Sequence, residues 1–313
     1  MSPHSGIQAL EFVSAKSCWV PIFVNQPMFY KYQALANDYL ILDPARQPAE
    51  LAQGLTSAQV HAICDRHRGV GSDGIVYGPL PDAAAQSGHF ACVIWNPDGS
   101  QAEVSGNGLR IFARYLVDAG YISWERERTC VLHSGGRAAP ITYGNRPDAP
   151  IRVELGRALA ALGPETLPGD LLVALGLPTC VDVGNPHCVF FPSGPIDESL
   201  ARRWGALVEN DPAFPHRTNV QFVRVIDSHA IAIEIWERGA GYTQASGSSS
   251  CAAAVAAIHR GLCLSPVTVH MPGGELAVDL IFDGADWRVA LTGPVTPVFW
   301  GEFGSWRLGT GEE

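Results

Sequence analysis

Two serines stand at matching places in the 313-residue chain, Ser105 before Gly106 and Ser246 before Gly247. Each opens a stretch that reads as a helix, and fifteen residues after each serine a glycine, Gly120 or Gly261, is suited to ending it. Turn-rich segments precede both, 96-NPDGS-100 and 239-GAG-241. This internal repeat predicts two similar halves, each presenting Ser-Gly at the start of a central helix. Small residues that only cap two helices would leave the same trace. The first alternative has chemical content. The leading N–H groups of a helix lack partners within it and the helix dipole is positive there, so a carboxylate binds readily. Two such ends facing across a cleft would clamp one α-carboxylate and place side chains 105 and 246 on opposite faces of the carbon that bears it. Acid–base groups so placed can take a proton from one face and return one to the other, which inverts configuration.

Strands and further helices must hold those two ends. The segments 39-YLILD-43, 91-ACVIW-95, 129-TCVLH-133, 188-CVFF-191, 220-VQFVRV-225 and 231-IAIEIW-236 are rich in β-branched or aromatic residues and bounded by Gly, Pro, Asn or Asp, the pattern of strands. Helices are predicted over 56–67, 106–120, 198–210 and 247–261. Residues 1–27 carry no motif and read as an N-terminal extension. The Gly- and Pro-rich passage 134–150 reads as a junction, giving a first domain at 28–148, completed by 296–313, and a second at 149–295.

Hydrophobic residues make up 47% of the chain and charged residues 17%, and no apolar run approaches the ~20 residues needed to cross a bilayer. A net charge of -10 disfavours nucleic acid or an anionic membrane as partner, so an anionic ligand must be held by local donors. The N-terminus lacks the basic start and continuous apolar core of a secretory signal, from which a cytoplasmic location is expected. Eight cysteines are scattered without metal-ligand spacing and read as buried small hydrophobes.

The segments 31-KYQALANDYLILD-43, 64-CDRHRGVGSDGI-75, 95-WNPDGSQAEVSGNGLRIFARYL-116, 184-GNPHCVFF-191, 217-RTNVQFV-223 and 236-WERGAGYTQASGSSSCAAA-254 together resemble the ordered signature blocks of diaminopimelate epimerases, over about residues 29–295. The resemblance implies an α/β (α+β) fold of two pseudo-symmetric domains, each with mixed strands around a central helix and the active site in the cleft between them. It implies no cofactor, neither pyridoxal phosphate nor metal, and a small amino acid as the bound partner; a homodimer is left open. By position, Asn37, Asn96, Asn185, Asn219, Glu237 and Arg238 match residues that hold the substrate's amino and carboxylate groups. Gly106, Asn107, Gly247 and Ser248 match the backbone donors to the reacting carboxylate, and His187 and Glu237 match the groups that support the acid–base pair. Taken singly, each has a blander account: the asparagines as turn residues, His187 as a structural histidine, and Glu237 with Arg238 as a surface pair of little energetic weight.

The resemblance breaks where proton transfer is decided. The family carries cysteine at both acid–base positions, whereas this chain reads 105-SGNG-108 and 245-ASGSSS-250. A thiol of ordinary pKa about 8.5 can be brought to the thiolate at a helix start; a serine hydroxyl ionises far higher. Tyr242 after Gly-Ala-Gly, the run 248-SSS-250, and Ala34 and Ala36 in place of glycines are further departures. Three functions compete: a cofactor-independent amino-acid isomerase with Ser105 and Ser246 in the acid–base positions; a one-base dehydratase or double-bond isomerase using His187 or Glu237; and a non-catalytic amino-acid-binding protein.

Overall fold

A computed structural model of the chain describes residues 28–80, 87–102, 105–146, 148–282 and 287–303. The 1–27 extension lies outside the described residues. Strands wrap two central helices, Gly106–Asp118 and Gly247–His259. A five-stranded sheet runs in the order 296–302, 28–34, 37–42, 75–77, 93–95, and a twelve-stranded sheet carries most of the remainder. The strand 296–302 comes back from the end of the second half to pair antiparallel with Met28–Ala34 in the first.

Within the larger sheet, Trp287–Gly293 pairs with both Gly274–Phe282 and Ile151–Leu162, which closes a ring of strands around the second helix. That enclosure explains the helix sequence. With neighbours on every side it has no polar face to offer, so Cys251 and the run Ala252–Ala257 are all buried, and only small side chains fit inside the ring. The first helix carries larger groups, with Ile111, Phe112, Tyr115 and Leu116 fully buried. One apolar cluster contains residues of both helices, so the halves share a continuous core where the helices approach each other.

All six apolar segments form strands, one of them with a break. His89–Ala91 and Val93–Trp95 belong to different sheets, with Cys92 at the crossing between them. The four predicted helices are present as Ser57–Cys64, Gly106–Asp118, Glu198–Glu209 and Gly247–His259. Thr56 and Gln59 close a reciprocal capping box on the first, and the Asp197 carboxylate accepts from Leu200 N–H on the third. The passage 134–150 holds more structure than a junction: Arg137–Thr142 is a strand paired on both sides, turned back from Thr129–Ser134 at Gly135-Gly136. Among the described cysteines, all but Cys180 are buried and none is in a disulfide. Among the described residues, no helix is long and apolar enough to cross a membrane.

Candidate active site

Ser105 and Ser246 are the N-caps of the two central helices. Ser105 Oγ accepts from Gly108 N–H at 3.0 Å and Ser246 Oγ from Ser249 N–H at 3.4 Å. The first intrahelical bonds are donated by Leu109 and Ser250, so the N–H groups of Gly106, Asn107, Gly247 and Ser248 have no partner within their helices. The two helix starts meet. A Cβ built on Gly247 would stand 3.8 Å from Gly106 Cα and 3.3 Å from Leu291 Cδ2, and one built on Gly106 would press to 2.9 Å from the same Leu291 carbon. Glycine at both first-turn positions thus leaves the two donor ends close together over Leu291, where an added methyl would crowd the tip of that side chain.

The surroundings of the two caps differ. The Ser105 hydroxyl lies 3.2 Å from the Tyr39 hydroxyl. Burial pushes the Tyr39 phenol up to about 12; its contact with Ser105 opposes the shift, and the negative charges of Asp73 and Glu237 add to it. Ser246 instead lies beside the Glu237 carboxyl. Burial raises the Glu237 carboxyl above the ordinary carboxylate range, the Ser246 hydroxyl opposes this and the Asp73 charge adds to it. Glu237 is partly exposed. Ser248 Oγ lies 3.5 Å from Ser246 Oγ.

Behind the first helix start runs a chain of side-chain hydrogen bonds. Arg110 donates to Asn107 at 2.6 Å, Asn107 to Asn37 at 2.9 Å, and Asn37 to Asp73 at 3.0 Å. Arg66 bridges Asp73 and Asp38, and Lys31 pairs with Asp38 at 2.7 Å. Although burial works against it, these hydrogen bonds hold Asp38 below the usual carboxylate range. The amides of Asn37 and Asn107 are thus committed to fixing the helix start. Arg110 is fully buried, and its burial lowers the guanidinium to about 10.

On the second side, His187 is buried with Nε2 2.9 Å from Asn185 Oδ1. Burial lowers its imidazole to about 3, Gln221 opposing and the Arg238 charge adding to the shift, so it is neutral near pH 7. Gln221 donates to Ser249 at 3.0 Å, which ties this strand to the second helix start. Asn219 acts as a staple: its amide donates to Pro186 C=O at 3.0 Å and accepts from Arg238 N–H at 2.9 Å. The Arg238 guanidinium is exposed and donates to His216 C=O at 3.2 Å. The Asn96 amide is engaged in its own turn, donating to Ser100 Oγ at 3.0 Å. A narrow pocket beside the first helix start is lined by Ser105, Leu109, Arg137, Glu154 and Leu155.

Tyr39, Asp73 and Gln221 are the neighbours that sequence reasoning did not single out. Gln221 had a legible signal, because it lies two residues from Asn219 on one strand and so shares its face. Tyr39 also lies two residues from Asn37, inside a block already matched. Cys251, farther along the second helix, is unsuited as a base, since burial lifts its thiol to about 12 although the Arg110 charge opposes the shift.

The similarity to known proteins covers both halves that build this site. The sequence model of diaminopimelate epimerase matches residues 29–159 and 179–298. Diaminopimelate epimerase 2 of Nostoc sp. is 42% identical over 284 residues, covering 88% of this chain and 94% of that protein. The diaminopimelate epimerase of a Synechococcus strain is 38% identical over 288 residues, covering 87% and 96%. In fold, the chain resembles a phenazine biosynthesis protein of the PhzF family from Bacillus anthracis, with a TM-score of 0.65 at 12% identity, covering 90% of this chain and 99% of that one. With relatives matched along nearly their whole length and the paired helix starts in place, the chain belongs to the diaminopimelate epimerase family.

Proposed function

We propose that the protein is a cofactor-independent isomerase that inverts the α-carbon of an amino acid, with diaminopimelate as parent substrate and Ser105 and Ser246 at the two faces of that carbon. The observation that carries this reading is the convergence of two hydroxyl-capped helix starts over Leu291. The substrate α-carboxylate fits the N–H groups of Gly106, Asn107, Gly247 and Ser248, where the electron pair left by Cα–H cleavage is stabilised as enolate charge. Ser246 is too weak a base to hold the proton. It accepts the proton from Cα as its own passes to Glu237, which supplies the basicity. Neutral His187, with Asn185 and Gln221, braces the second side. Arg238, exposed at the cleft mouth, is placed to turn from His216 toward a distal carboxylate.

Incubation with the stereoisomers of diaminopimelate in deuterated water tests the reading. Label entering the α-position with inversion is the expected result. Exchange with complete retention would favour one-base chemistry such as dehydration or double-bond migration. Binding without exchange would make the protein an amino-acid binder.

A further inference from the structure

The geometry points to Tyr39 as the proton-relay residue of the first face, delivering its phenolic proton to the substrate α-carbon through Ser105, opposite the Ser246–Glu237 pair. The inference rests on the isomerase reading above and adds the group that reading lacks. Two-sided inversion needs a donor on the face that Glu237 does not serve, and a serine hydroxyl alone is a poor one.

The hydrogen bonds around Ser105 define what it can do. Its oxygen accepts from Gly108 N–H at 3.0 Å and lies 3.2 Å from Tyr39 Oη. With Tyr39 donating, both acceptor directions of Ser105 are filled and its own O–H is left for the cleft. Arg110 and Asn107 leave that hydroxyl alone, being bonded to each other and to Asn37. Tyr39 itself is only 6% exposed, on the strand Asn37–Leu42, and the strand that follows Asn37 fixes its ring beside the helix start. Burial and the neighbouring acidic groups Asp73 and Glu237 hold it as the neutral phenol, the form that can donate.

The proton count closes. Glu237 carboxylate, through Ser246, takes the proton from Cα, and the Cα–H electron pair enters the enolate. The enolate then takes the Ser105 proton on the other face as the Tyr39 proton moves to Ser105, leaving phenolate at Tyr39 and carboxylic acid at Glu237. Water returns a proton to Tyr39 and removes one from Glu237, restoring the start.

The relay separates two observables that a packing role would move together. Tyr39→Phe should lower inversion roughly 10²- to 10⁴-fold, while the stereoisomer whose α-proton faces Ser246 still exchanges it in deuterated water with retention, and ligand affinity is unchanged. Ser105→Ala should give the same split with Tyr39 intact. Adding Ser105→Cys to Tyr39→Phe should restore inversion, because a thiol at a helix start needs no relay. If Tyr39→Phe leaves inversion unchanged, or lowers exchange and inversion equally, the relay is wrong and the isomerase reading survives. If the unsubstituted chain neither exchanges nor inverts any stereoisomer, both fall.

Discussion

The two helix starts are built alike and wired differently. Each is a serine-capped, glycine-led end with free backbone donors, yet one serine borders a phenol lifted to about 12 and the other a largely buried carboxyl whose pKa is raised. Their mounting also differs. The first start is fixed by a polar chain from Arg110 through Asn107 and Asn37 to Asp73, the second by a ring of strands and by Gln221 on Ser249. Similar backbone geometry at both ends serves what is common, the grip on one carboxylate. The unlike neighbours serve what cannot be common, since inversion needs a base on one face and an acid on the other at the same moment.

The largest effect should come from making the two ends alike. The double change Ser105→Cys and Ser246→Cys should raise α-proton exchange and inversion of diaminopimelate about 10²- to 10⁴-fold, read by label uptake and chiral separation, because each face then carries an acid–base group of its own. No gain in a folded, ligand-binding variant would show that the site is shaped for other chemistry.

Removing the base alone should sharpen the asymmetry. Glu237→Gln is expected to lower exchange from the Ser246 face by roughly 10²-fold or more, since the amide cannot take the proton. The unsubstituted protein should lose activity as pH falls through the raised pKa of Glu237, because only the carboxylate accepts. An unaltered acid limb in the Gln variant would place the base elsewhere.

A smaller effect belongs to the brace behind the second face. His187 is lowered to about 3 in the folded chain against an ordinary value near 6.5, so below pH about 6.5 the unfolded state binds a proton that the folded state refuses. The contribution is whole above that pH and is lost as pH falls toward 3, at up to about 1.4 kcal/mol per pH unit. Denaturant unfolding at pH 7 and pH 5 should show this loss, and His187→Gln should flatten it. Equal slopes in both proteins would mean His187 is open to water.

The smallest effect concerns the turn that joins the first two strands. Leu35 and Ala36 connect the paired ends Ala34 and Asn37 with φ of 57° and 65°, the left-handed region that disfavours residues with a Cβ. Ala36→Gly should therefore stabilise the protein by about 0.5–1 kcal/mol, read as a shift in the unfolding midpoint. The turn packs against the second half, its Leu35 C=O 2.9 Å from where a Cβ on Gly273 would stand, so relief of strain there should also leave inversion unchanged. A destabilised Gly variant would mean that packing of the Ala36 methyl outweighs the strain.

Much of this was written in the sequence. The paired Ser-Gly starts, the six strand segments, the four helices and the family blocks are local patterns, and local patterns survive without a fold because periodicity and capping act over a few residues. What the sequence left open depends on residues distant along the chain. The split of 91–95 between two sheets follows from where its partners lie, and the ring of strands around the second helix from a pairing between 151–162 and 287–293. The roles of asparagines diverged for the same reason. Asn96 bonds within its turn, Asn219 staples two loops, and Asn37 anchors a helix start, although each is only an amide near a strand end. Tyr39 is the clearest case. It sits 66 residues from Ser105, and nothing local separates it from any buried strand tyrosine; only the packing of its strand against the first helix start brings two hydroxyls within hydrogen-bonding distance, because side-chain proximity is set by tertiary contact and not by order along the chain.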